Sequence, residues 1–242
     1  MVEEQTKIKV FRIDNPQECR IIERFSRFVV KVEIKGDHHL AYINNTGRLY
    51  ELLVKGRKAF CFRTQNQGKT DFRLFAMEER GPGALIDTQR QMKAFEESLE
   101  RNHIPWLEGC RILKRNAKLS APLIDYLLEC HRKAVYLEVK SAVLREGDYA
   151  MYPDCPSERG RRHIKVLSGY VKEGGEEGIL LFIAALPHVK AFKPNKPADA
   201  NLYEALKETN SSGVDIRAIG LYYNPNDAGV YLFEPNLEVK LF

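Results

Sequence analysis

Asp125, Glu138 and Lys140 are the residues whose types and spacing point most directly to chemistry. Alternation along Leu123–Glu129 puts Leu123, Asp125, Leu127 and Glu129 on one side of a strand. The same rule puts Tyr136, Glu138 and Lys140 on one side of the next strand. A hairpin centred on His131-Arg132 sets Asp125 directly opposite Glu138. Like charges in that position destabilise a sheet, and two carboxylates sharing a site resist joint ionisation. A divalent cation between them removes the conflict. Mg2+, or Mn2+ in its place, takes one or two carboxylates, keeps several waters and recruits phosphate oxygens. Asp125 and Glu138 are therefore the expected metal ligands. Lys140 on the same face would orient or deprotonate an attacking water, or neutralise charge on phosphorus. The chemistry implied is metal-assisted hydrolysis of a phosphodiester. Asp125 also interrupts an apolar run, Pro122–Leu128, where a merely solvated charge is out of place.

Two further groups point to a polyanion. Arg159, Arg161, Arg162 and His163 crowd the start of a helix expected from about Ser157 to Lys172, with Gly160 among them. Cations there oppose the helix dipole, and a bound phosphate would reverse that cost. In the first third of the chain Arg24, Arg27, Arg48 and Lys69 are interleaved with Phe25, Phe28, Tyr42 and Tyr50. Basic grooves with stacking aromatics suit nucleic acid. Taken singly, each of these residues fits a packed ring or an ordinary surface charge equally well. DNA is the expected partner.

The elements that must hold these residues differ along the chain. The first ~80 residues alternate with period two: Lys7–Ile13, Phe28–Ile34, His39–Ile43, Lys58–Phe62 and Asp71–Met77. Turns at Lys35-Gly36-Asp37, Asn44–Gly47 and Asn66-Gln67-Gly68 separate them. This predicts a small barrel, OB-like ahead of SH3-like. A linker ending in Gly81-Pro82-Gly83 divides the chain into residues 1–83 and 84–242. Beyond it, Thr88 to about Asn102 reads as a helix with a Thr88-x-x-Gln91 capping box. Strands at Cys110–Leu113, Leu123–Glu129 and Val135–Ser141 follow, then the basic helix and a strand at Ile179–Leu186. A helix at Asp199–Asn210 and strands at Val214–Tyr222 and Val230–Phe233 complete the order αβββαβαββ. The fold class is mixed α+β: an N-terminal OB-like barrel, then an α/β domain with a mixed sheet. Asp-x12-Glu-x-Lys on a hairpin within this order resembles the PD-(D/E)XK nuclease superfamily. Such cores often add an acid from the first helix, where Glu96, Glu97 and Glu100 are available. They also often pair as homodimers to cut both strands, and no interface is legible in the sequence.

Bulk properties agree without deciding. The net charge of +5 favours anionic partners only weakly. The five cysteines are odd in number and lack CxxC spacing, which argues against a disulfide framework or zinc site. The opening MVEEQTKIKV has no apolar core of leader length, and the longest apolar run, Ile179–Leu186, is far short of a membrane span. A cytoplasmic location is the expectation.

Four stretches resemble the sugar fermentation stimulation protein family: His39–Leu49, Tyr136–Ser141, Tyr152–Gly160 with His163, and Phe192-x-Pro194 followed by Asp199 and Gly213-Val214. Asp87-Thr88 also fits. The resemblance implies an OB-like domain, a PD-(D/E)XK nuclease-like domain and DNA binding without marked sequence preference. It further implies a regulatory link to sugar use, maltose in particular. The family's Arg shortly before the aspartate is missing from Ala121–Asp125, and its Asn near the first helix is replaced by Gln89 or Gln91. Three functions follow as expectations: a metal-dependent DNA phosphodiesterase, a non-catalytic DNA-binding regulator, and a sugar-binding protein. Nothing in the residues favours the last, since the lone Trp106 reads as core.

Overall fold

A computed structural model describes residues 7–64, 69–119 and 122–241. The chain runs β1 (Ile8–Arg12), β2 (Gln17–Arg24), β3 (Val29–Ile34), β4 (Asp37–Tyr42), β5 (Lys58–Arg63), β6 (Phe72–Glu78), β7 (Gly83–Leu85) and α1 (Thr88–Glu100). After a short 3-10 turn it continues with β8 (Cys110–Lys118), β9 (Leu123–Cys130), β10 (Lys133–Ala142), β11 (Leu144–Glu146), β12 (Tyr149–Tyr152) and α2 (Glu158–Lys172). It ends with β13 (Glu177–Ala184), β14 (Ala191–Pro194), α3 (Ala200–Ser211), β15 (Asp215–Asn224), β16 (Gly229–Glu234) and β17 (Glu238–Val239). The expected turn at Asn66-Gln67-Gly68, Ala121 and the first six residues lie outside the described residues.

Two compact units result. One comprises Met1–Glu96, Ala185–His188 and Gly220–Glu234. The other comprises Glu97–Ala184, Val189–Ile219 and Pro235–Phe242. The first unit contains the expected OB-like barrel. β2 pairs with β3, β3 with β4, β4 in parallel with β6, β6 with β5, and β5 with β2, closing five strands. Closure leaves no barrel edge unpaired. Alternation fills the interior with Cys19, Ile21, Val30, Val32, Ala41, Cys61, Phe72 and Leu74, all buried. β2 was not expected as a strand, because QECRIIER carries charges at its outward positions. The expected strand at Val230–Phe233 forms β16 and pairs with β1 (Ile8↔Leu232), so it belongs to this unit rather than to the second.

The α1 cap also differs from the expected box. Asp87, not Thr88, caps the helix, its carboxylate accepting from the Arg90 N–H at 3.1 Å. Gln91 is buried and donates to the Leu85 carbonyl at 2.6 Å, and the Thr88 N–H of the expected box donates to Asn44 Oδ1 at 3.1 Å.

In the second unit the sheet order is β8-β9-β10-β13-β15. β13 is parallel to β10 (Glu138↔Leu180, Lys140↔Phe182), with α2 as the crossover. Its seven residues from Gly178 to Ala184 are buried, as a parallel strand covered on both faces requires. Along the chain α1, β8, β9, β10, α2 and β13 follow in the αβββαβ order expected from the sequence, with β11 and β12 inserted before α2. A second sheet of short strands, β11-β12-β14-β17, was not foreseen. Cys110 and Cys130 overturn the expectation of unbonded cysteines. They face each other across the β8–β9 ladder, Cα atoms 4.1 Å apart, and form a disulfide. Among the described residues no helix is long and apolar enough to cross a membrane.

Candidate active site

The hairpin carrying the acidic pair has the register read from the sequence. His131 and Arg132 both take positive φ (51° and 70°), as a two-residue hairpin turn demands. The ladder runs from Lys133↔Cys130 to Leu137↔Tyr126. The next rung would join Glu138 and Asp125 backbone to backbone, and there it stops. Instead the Val139 N–H donates to Asp125 Oδ2 at 2.8 Å, and the Asp125 N–H donates to Glu138 Oε2 at 3.2 Å. Each carboxylate takes an amide of the opposite strand, so both side chains lie in the gap where β9 parts from β10. β9 keeps its pairing to β8 as far as Leu123↔Lys118.

Glu138 is the centre of the cluster and is 2% exposed. Its Oε1 receives Lys140 Nζ and stands 2.8 Å from His163 Nδ1, which α2 supplies. Arg159 Nε–H points at His163 Nε2 at 3.4 Å, which leaves the ring proton on Nδ1 to donate to Glu138. Burial would raise the Glu138 carboxyl, but the Lys140 ammonium and the His163 and Lys140 hydrogen bonds outweigh it and hold it below the usual range. Lys140 is equally enclosed. Burial would lower its ammonium, but Glu138, Tyr152 and Asp125 outweigh it and keep the group charged. Lys140 thus stands as a cation rather than as a free amine base. Asp125 fares differently: burial first, then the neighbouring Glu138 charge, pushes its carboxyl up to about 6.

The start of α2 corrects part of the sequence reading. Its N-terminus is already capped by this chain. Ser157 Oγ accepts from the Gly160 N–H at 3.1 Å, and Asp199 Oδ2 accepts from the Ser157 N–H at 2.9 Å. Arg161 is tied to the same Asp199 oxygen at 2.6 Å. The anion that offsets the basic helix start is therefore an aspartate brought by α3. Gly160 does not leave room for a ligand, because the space beside it is filled by Tyr152 Oη and Ser157 Oγ. His163 is 7% exposed and serves Glu138. Arg159 and Arg162 remain on the surface.

Of the residues expected on the barrel, Arg24 spends its guanidinium on the carbonyls of Ser26 (3.2 Å), Arg27 (2.8 Å) and Arg48. Arg27, Arg48 and Lys69 are exposed. On α1, Glu97 pairs with Arg101 at 2.8 Å.

Four contributors escaped sequence reasoning. Tyr152 is packed beside Lys140 and Phe182, and burial pushes its hydroxyl up. Asp199 was noted only for its spacing, although an Asp opening an apolar helix is a capping signal. On β8, Lys114 and Lys118 pair with Leu127 and Leu123 across the ladder, the rungs that flank Asp125. Residues opposite one another share a face, so both exposed lysines stand on the Asp125 face. Their alternation about Asn116 was readable, but the strand was expected to end at Leu113.

The donor set fits a divalent cation. Among the described residues Asp125 Oδ1 has no hydrogen-bond partner, and the second carboxylate lies beside it. No group of three or more His, Cys, Asp or Glu side chains forms a complete cage among them. Two carboxylates with the remaining positions left to water or phosphate is the arrangement Mg2+ accepts.

Known proteins resemble the chain over nearly its full length. One family model, described as the sugar fermentation stimulation protein RE domain, matches residues 89–227, and another, the SfsA N-terminal OB domain, matches residues 22–86. A sugar fermentation stimulation protein homolog from Pyrococcus furiosus is 46% identical over 221 residues, covering 91% of this chain and 95% of its own length. One from Archaeoglobus fulgidus is 44% identical over 234 residues, covering 97% and 100%. The solved structure of Pyrococcus furiosus SfsA in complex with Ca2+ has a TM-score of 0.92 at 43% identity, covering 96% of this chain and 99% of that one. The chain belongs to the sugar fermentation stimulation protein family.

Proposed function

We propose that this protein is a divalent-metal-dependent phosphodiesterase that acts on DNA, with Asp125, Glu138 and Lys140 as its catalytic residues. The observation that carries the reading is the break in the β9–β10 ladder, which holds two carboxylates side by side and leaves one oxygen of Asp125 without a partner among the described residues. Asp125 and Glu138 would hold Mg2+ or Mn2+, and the Ca2+ in the Pyrococcus furiosus relative supports a divalent ion here. Such an ion, when bound, lowers the pKa of a water and neutralises phosphoryl charge. The chain's own groups do the rest. Lys140, held charged, donates to an oxygen on the reacting phosphate. His163 fixes the Glu138 carboxylate from behind. The exposed Arg159, Arg162, Lys114 and Lys118 hold neighbouring phosphates.

A plasmid-nicking assay with Mg2+ and Mn2+ tests the reading on wild type, Asp125→Ala and Lys140→Ala. Cleavage by wild type and its loss in both variants, with DNA binding kept, is the expected result. Cleavage that survives Asp125→Ala would overturn it.

One observation favours a second reading, a non-catalytic DNA-binding regulator of sugar use, maltose included. Glu138 Oε1 is already held by both Lys140 and His163, a closed arrangement that needs no cation on that oxygen. Wild type that binds DNA and nicks none of it would select this reading.

A further inference from the structure

Among the described residues the large exposed aromatic side chains are confined to one stretch of the chain. They are Phe25 (70% exposed), Phe28 (41%), Tyr42 (37%) and Tyr50 (73%), all in the barrel unit. They are also brought together. Arg24 joins the β2–β3 turn to the loop after β4 through the Arg27 and Arg48 carbonyls. The Ile43 N–H donates to the Phe28 carbonyl at 3.0 Å, and the Phe28 and Tyr42 rings stack with centroids 6.5 Å apart. Arg24 is thus the clasp of this surface rather than a contact on it.

Each of three rings carries a guanidinium on one side: Arg27 over Phe28 at 5.4 Å, Arg48 over Tyr50 at 5.9 Å and Arg73 over Tyr42 at 5.8 Å. Arg73 is neutralised by Asp87. Among the described residues Arg27 and Arg48 have no carboxylate partner. Phe28 and Tyr42 also cover each other, so the ring faces left to solvent are mainly those of Phe25 and Tyr50. The patch therefore presents flat apolar faces beside two uncompensated positive charges. That combination matches an unpaired nucleotide, which offers a flat base and a phosphate together. A duplex hides its base faces inside the stack and offers only phosphates and groove edges.

We propose that the face formed by Phe25–Phe28, Tyr42 and Arg48–Tyr50 binds single-stranded DNA, stacking unpaired bases on Phe25 and Tyr50 while Arg27 and Arg48 pair with phosphates. The proposal rests on the DNA reading above only in naming the polymer, and it adds strandedness, which the carboxylate site does not determine.

The test is fluorescence anisotropy of the full chain in metal-free buffer, with a fluorescein-labelled oligothymidylate of about 12 nucleotides and a duplex of equal length as probes. Phe25→Ala and Tyr50→Ala should each weaken single-strand binding about tenfold or more. They should change duplex binding by less than about twofold, because phosphate contacts carry that mode. Tyr50→Phe keeps the ring and should keep the affinity. Both rings are largely exposed, so the alanine variants fold, as an unchanged Tm would verify. Single-strand affinity unchanged in both alanine variants overturns the proposal. Equal losses on both probes also overturn it, and so does a patch that captures protein but neither oligonucleotide. The readout does not involve Asp125 or Lys140, so failure of the nicking assay leaves this result standing, and the reverse.

Discussion

Two buried carboxylate sites in this molecule have opposite constructions. Asp87, in the barrel unit, is fully enclosed and fully answered. Arg73 grips both of its oxygens, Asn44 donates at 3.0 Å and the Arg90 N–H at 3.1 Å. Asp125, in the second unit, receives one amide, faces another carboxylate and keeps an oxygen without a partner among the described residues. Asp199 is of the first kind. Two amides and Arg161 outweigh burial and hold its carboxyl below the usual range. A carboxylate surrounded by donors is a part of the framework. One pressed against its own kind is a standing cost, and sites that retain such a cost are the ones to suspect of function.

Removing the donors' target should hurt most at the framework site. Asp87→Ala strands a partly buried guanidinium and uncaps α1, and should cost about 3 kcal/mol by denaturant unfolding. A smaller and opposite effect is expected at the other site. Asp125→Asn keeps an acceptor for the Val139 N–H while removing the repulsion, and should stabilise the metal-free protein near pH 7 by about 1–2 kcal/mol. Asp125 at about 6 lies above an unfolded aspartate at about 3.9. The native state then holds a proton that the unfolded chain has released, so stability falls as pH rises from about 4 to 6. Asp125→Asn should flatten that fall. Asp199 has the reverse sign: its contribution is present above about pH 4 and is lost on acidification. If Asp125→Asn destabilises as Asp87→Ala does, the contrast collapses. The smallest effect sharpens it. Mg2+ should raise Tm by more near pH 7 than near pH 5, because cation and proton compete for Asp125. An equal shift at both values would place the ion elsewhere.

How much of this was legible depended on sequence distance. The Asp125–Glu138 register could be read because the turn is local and a period of two leaves few choices. The α2 start was misread because the answering charge, Asp199, lies 42 residues from Ser157 and arrives only through α3. The Cys110–Cys130 pair follows from the β8–β9 register, and the full extent of β8 was not visible in CRILKRNAK, where exposed charges blur the alternation. β11, β12, β14 and β17, of two to four residues, are too short for periodicity to register. β16 pairs with its sequence neighbour β15 but was placed in the second domain, because its other partner, β1, lies at the far end of the chain. The barrel closes as expected, but β2 fills the place in it that alternation gave to Lys7–Ile13, and that strand pairs with β16 instead.

The crossed bonds at the ladder break have one more consequence. The amide hydrogens of Asp125 and Val139 are held by side chains, not by a neighbouring strand's carbonyls. Rungs such as Leu137↔Tyr126 exchange with solvent only when the sheet itself opens. These two positions are released by a carboxylate turning aside. Their exchange rates therefore report what the acids are doing, residue by residue, in the intact molecule and without any substrate.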